Sequence, residues 1–155
     1  MLNIRLLALA LLLLLIGNSR SFGQQSDMDQ VKAAIDAYHA ALGSLDVAKM
    51  APLWVHDDSV LLVNPADKSI SVGWDAVQKN WVAAFGRDAE LLVTQLQGPN
   101  VRVQDDVAWS TGIANAVIKL KTGAAFTAPT FETDVFVKRG GAWLLVSHTA
   151  SRVPK

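Results

Sequence analysis

The sequence predicts an α+β domain: a curved antiparallel sheet, shaped as a cone-like roll, wrapped over N-terminal helices around an interior pocket. Three observations predict it. Helical periodicity comes first and long neighbouring strand-like runs come later, without βαβ alternation. The late runs are long, and Gly112 sits inside one of them, which favours a sheet that curls. Three polar residues, Tyr38, Asn64 and Asp134, are set into otherwise apolar elements, about where such a fold turns side chains inward.

The chain opens with a basic residue, Arg5, an unbroken apolar run from Leu6 to Ile16, and then Ser21-Phe22-Gly23. This pattern reads as a secretory leader over residues 1–23, cut before Gln24 with Ser21 and Gly23 at the small-residue positions. The apolar run is too short for a bilayer core, which needs about 20 residues. Residues 24–155 then form a single domain, placed in the periplasm or outside the cell, with no membrane association in its mature form. The whole chain carries 14 basic and 14 acidic residues; the leader takes Arg5 and Arg20, so the mature part has a net charge of −2. That balance argues against nucleic acid as a partner. With no cysteine, an exported domain has to rely on its core, and half of the residues are apolar.

Val31, Ala34, Ile35, Tyr38, Leu42 and Leu45 recur at helical spacing, with Ser26 or Asp27 as the cap and Gly43 as the stop. A shorter helix follows from the cap Asp46 through Val47, Met50, Leu53 and Trp54, and Pro52 should kink or shorten it. Ser59 to Val63 reads as a strand stopped by Asn64-Pro65, and Ile70 to Val72 as a short strand stopped by Gly73. Val77, Trp81, Ala84 and Phe85 form the stripe of a third helix ending at Gly86. Strands are then expected over Glu90–Gln97, Val101–Gln104, Val107–Leu120, Phe126–Arg139 and Ala142–Ser151, separated by Gly, Pro, Asn and Asp clusters. Both faces of these late strands carry apolar residues, so one face covers the pocket and the other calls for a second copy of the chain: a homodimer.

Several patterns in this order resemble one family. They are Ala37-Tyr38-His39-Ala40-Ala41-Leu42 with Asp46 and Leu53-Trp54; Gly73 with Val77, Trp81 and Phe85; Val103 to Ala108; Thr133 to Lys138; Gly141-Ala142-Trp143; and Ser147 to Ser151. Over Val31 to Pro154 the chain resembles the nuclear transport factor 2-like superfamily, and within it the SnoaL-like and ketosteroid isomerase-like group. The resemblance implies roles residue by residue. Tyr38 falls where ketosteroid isomerases place an oxyanion-hole tyrosine, and Asp134 where they place a protonated aspartic acid donating to the same oxygen. Asn64 falls at their general-base aspartate, and an amide has no useful basicity.

On chemistry alone His148 is the strongest acid–base candidate. A three-residue loop over Gly140 to Ala142 sets Asp134 opposite His148; a two-residue Gly140-Gly141 loop sets Asp134 opposite Ser147. His39 turns about 100° away from Tyr38 on the helix. His56-Asp57-Asp58 are adjacent on a loop and do not converge on one ion, so no metal site is expected, and no phosphate loop or cofactor motif is present. Trp54 and Trp81 are the tryptophans chosen to wall the pocket and stack on a flat ligand. The sequence thus supports an exported domain whose apolar pocket binds a small hydrophobic molecule. The alternative is an isomerase- or lyase-like enzyme in which Tyr38 and Asp134 polarise an oxygen and His148 moves the proton.

Overall fold

The computed structural model describes residues 3–154, with side chains from residue 23 onward. Three α-helices, α1 (Asn3–Ser44), α2 (Val47–Met50) and α3 (Trp74–Arg87), accompany one six-stranded sheet. Its strands are β1 (Leu61–Val63), β2 (Ser71–Val72), β3 (Asp88–Gln104), β4 (Val107–Leu120), β5 (Ala125–Arg139) and β6 (Ala142–Arg152). They lie in the order β2-β1-β6-β5-β4-β3.

α1 has no cap at Ser26 or Asp27, because the helix is continuous through them; Asp27 instead pairs with Lys138 of β5. The side chains of the leader read over residues 1–23 lie outside the described ones. The stripe of Val31, Ile35, Tyr38 and Leu42 is buried. It packs with Trp54, Phe136, Trp143 and Leu145 in one core. α1 ends at Ser44, one residue past the expected Gly43, and Leu45 takes a positive φ of 52° to turn the chain. The short second helix forms over Val47–Met50 only, short of the Leu53 and Trp54 read into it, and its cap is the expected one: Asp46 accepts from the Ala48 N–H at 2.8 Å. Pro52 falls in the 3₁₀ turn Ala51–Leu53 that ends it.

Two expectations are corrected in the sheet. It is mixed rather than wholly antiparallel, because β1 runs parallel to β6, with Leu62 beside His148. The chain leaves the 3₁₀ turn already aligned with β6, since Trp54 bridges Leu145 in parallel and the Val55 N–H reaches the Leu145 carbonyl at 2.9 Å. The strands expected over Glu90–Gln97 and Val101–Gln104 are one strand. The Gly98-Pro99-Asn100 breaker makes a bulge instead of a turn: Gln97 pairs with Ile113, and pairing resumes at Asn100 with Thr111. Gly98, at φ 86°, supplies the left-handed conformation the bulge needs.

Candidate functional site

Three elements bring the site together. The buried stripe of α1 presents Tyr38. The inner face of β5 presents Thr130, Glu132 and Asp134 as alternate residues, all buried. β6 presents His148 opposite Asp134. That pairing is made in a way neither loop length foresaw. The Gly140-Gly141 turn has two residues and pairs Arg139 with Ala142, which on a regular ladder would set Asp134 against Ser147. A bulge at Val146 adds one residue between the Phe136–Leu145 and Val135–Ser147 pairs and moves His148 into place.

His148 Nδ1 lies 2.7 Å from Asp134 Oδ1. Ser110 Oγ donates to the other carboxylate oxygen at 3.1 Å. Burial by itself pushes the His148 pKa down. The hydrogen bond to Asp134, the Asp134 charge and the Glu132 charge outweigh it, so the net shift is upward from 6.5. Asp134 occupies the Nδ1 side, and Nε2 has no hydrogen-bond partner among the described residues. The Tyr38 ring lies 4.9 Å from that of His148, centroid to centroid. Its hydroxyl is buried without a partner. Burial first, and then the charges of Asp134 and Glu132, raise its pKa well above 10.0, so it stays a neutral O–H donor.

A cavity of about 430 Å³ opens beside these groups. Tyr38, Asn64, Trp81, Glu132 and His148 line it, with Phe85, Leu91, Ile118 and Phe126 among its apolar walls. Asp134 is not among the lining residues: it stands behind His148, held by Ser110, rather than donating into the cavity. Trp54 is not among them either. It is buried in the core, edge-on to Tyr38 at 6.3 Å, while Trp81 meets Tyr38 in the same way from the cavity side. Asn64 lines the cavity, and its amide donates to Asn80 Oδ1 at 3.0 Å. Asn80 in turn donates to Asp67 at 2.9 Å and to Ser71 at 3.1 Å, a linked polar patch on one side of the cavity. Among the described residues no three His, Asp or Glu side chains gather to hold a metal ion.

A family profile for the SnoaL-like domain matches residues 31–155. The chain belongs to the SnoaL-like domain family. This family sits in the nuclear transport factor 2-like superfamily, and solved structures agree on the fold. A candidate dehydratase of the NTF2-like family from Streptomyces avermitilis is 21% identical, with a TM-score of 0.77 over 84% of this chain and 99% of that one. A nuclear transport factor 2-like superfamily protein from Salmonella enterica is 16% identical, with a TM-score of 0.75 over 88% of this chain and 94% of that one. A ketosteroid isomerase-like protein from Erwinia carotovora is 19% identical, with a TM-score of 0.70 over 83% and 98%. Among curated proteins, none matches.

Sequence reasoning on this SnoaL-like domain passed over Glu132, Asn80 and the partner of His39. Glu132 lies two residues from Asp134 on one strand, so the alternation that buries Asp134 buries Glu132 too. His39 is only partly buried, and its Nε2 lies 3.1 Å from Glu132 Oε2.

Proposed function

We propose that this exported SnoaL-like domain binds a small, mainly apolar molecule bearing an oxygen function, and acts on it as an isomerase- or lyase-like acid–base catalyst. One observation carries the reading: a buried His148 is held at Nδ1 by Asp134 at 2.7 Å while the ring lines an apolar cavity. A buried ion pair is costly, and a cavity used only for binding has no need of one. Asp134 acts through His148 as a positioning residue, keeping the Nδ1 side occupied so that Nε2 is the nitrogen that exchanges a proton. Tyr38 donates its unpartnered hydroxyl to the ligand oxygen. The raised His148 pKa enriches the protonated ring near neutrality, so the cavity offers two donors to that oxygen.

A second reading, a domain that binds without turnover, is favoured by Asn64. An amide in that place cannot take a proton from carbon. The mature domain is proposed to begin at Gln24 and to pair with a second copy through its outer sheet face.

The binding half is tested with 2-naphthol, a flat fluorescent phenol. It should bind in a fluorescence titration, and Tyr38→Phe should weaken it by about fivefold, the loss of one neutral hydrogen bond. Binding that Tyr38→Phe leaves unchanged would remove the hydroxyl from the site.

A further inference from the structure

Glu132 has no part in the chemistry above, yet it is placed as if it had one. It is only 8% exposed and lines the same cavity as His148. Asp134 pairs with His148 and Glu132 with Ala150, so Glu132 is the diagonal neighbour of His148 on the inner face. Such neighbours stand about 7 Å apart. Glu132 Oε2 is engaged by His39 Nε2 at 3.1 Å, while Oε1 takes no hydrogen bond among the described residues. His39 is not a lining residue; it holds Glu132 from α1, beside Tyr38, with ring centroids 6.0 Å apart.

The cavity therefore contains two histidine–carboxylate pairs with their roles exchanged. In one, the carboxylate of Asp134 stands behind and the imidazole of His148 faces inward. In the other, the imidazole of His39 stands behind and the carboxylate of Glu132 faces inward. Oε1, without a protein partner among the described residues, is not fully buried, and the residue lines the cavity, so this oxygen is the one open to a ligand. The charge of Glu132 is felt by both Tyr38 and His148, which puts all three groups within one electrostatic neighbourhood.

Resting on the reading of the cavity as an acid–base site, we propose that Glu132, oriented by His39, is its proton acceptor, complementary to the donors His148 and Tyr38. This supplies the base that Asn64 cannot be. It also narrows the substrate to compounds that release a proton from carbon close to a carbon–oxygen or nitrogen–oxygen bond.

The probe is 5-nitrobenzisoxazole, whose ring opening is a single elimination. The C–H proton passes to Glu132, the C–H electrons form the nitrile, and the N–O bond breaks with its pair on oxygen. The phenolate so formed accepts hydrogen bonds from Tyr38 and His148. The wild-type chain should open the ring faster than buffer does. Glu132→Gln should lose at least about a hundredfold in rate, the lower end of what a positioned base supplies. Glu132→Ala should lose as much and recover with added formate, which replaces the missing carboxylate but cannot repair a fold. The proposal is overturned by a Glu132→Gln variant with undiminished rate, by a Glu132→Ala loss that formate does not restore, or by no turnover in a wild-type chain that binds 2-naphthol. If 2-naphthol does not bind, the cavity reading itself fails and takes this proposal with it.

Discussion

His148 is where the site is most sensitive to its surroundings. Burial alone would strip its proton; Asp134, through a 2.7 Å contact and its charge, restores it, with Glu132 adding to the effect. The folded chain thus holds this proton more tightly than the unfolded one, whose histidine titrates near 6.5. The stabilisation is complete below that pH and is lost as pH rises through the higher folded value. Tyr38 has the same sign further up, since above 10.0 the unfolded tyrosine ionises first. Urea midpoints should therefore fall as pH rises from 6.5. In Asp134→Asn the imidazole loses its chief support against burial, so its ring-proton NMR titration should move down in pH and the stability slope should flatten. A titration that does not move would show that Asp134 does not hold the proton. Tyr38 was legible as a polar residue on an apolar helical stripe, Asn64 by its place before Pro65, and His148 by its chemistry alone, its face being left open by the hairpin register. Glu132 was not, because a carboxylate two residues from another on a strand reads equally well as a solvated face. What separates the two readings is the partner His39, 93 residues away.

The strands owe their placement to irregularities more than to their regular stretches. The bulge at Val146 brings His148 opposite Asp134 although the Gly140-Gly141 turn alone would not. Both of those glycines have positive φ, as a two-residue turn joining twisted strands requires. The existence and order of the strands could be read from alternation and breakers. Their register could not, since a bulge leaves little compositional trace. Gly112 shows the same dependence from the other side. A Cβ there would lie 2.9 Å from the Gln97 carbonyl oxygen and 2.6 Å from the Gln95 amide nitrogen, where β3 bulges toward β4. The Gln95 side chain can swing away, whereas the Gln97 backbone cannot without shifting the bulge. Gly112→Ala should destabilise the fold by about 1–3 kcal/mol, the range for overfilling a packed position. A urea denaturation midpoint equal to wild type would mean that the close approach is not maintained in solution.

On the scale of the whole molecule, the sheet has two faces with opposite needs. The inner face is covered by α1, α3 and the cavity. The outer face of β3, β4 and β5 leaves Leu92, Trp109, Val117 and Phe131 exposed, at 62%, 40%, 41% and 45%. Leu92 pairs with Val117, and Ile113 with Phe131, so that face carries two apolar cross-strand pairs. On the proposed pairing, a second copy of the chain covers this apolar face by symmetry. At the other end, the side chains just past the proposed cleavage point grip the sheet. Gln24 donates to the Val103 carbonyl at 3.2 Å and Asp27 pairs with Lys138, so cutting before Gln24 removes neither contact. Native mass spectrometry of the protein recovered from an exporting host should therefore give the mass of two chains that each begin at Gln24. Replacing both Trp109 and Phe131 by glutamate should shift it to one chain while 2-naphthol binding persists, because the cavity lies on the opposite face. A wild-type protein that is monomeric at micromolar concentration would leave the outer patch to some other use, and a mass that includes residues 1–23 would end the leader reading.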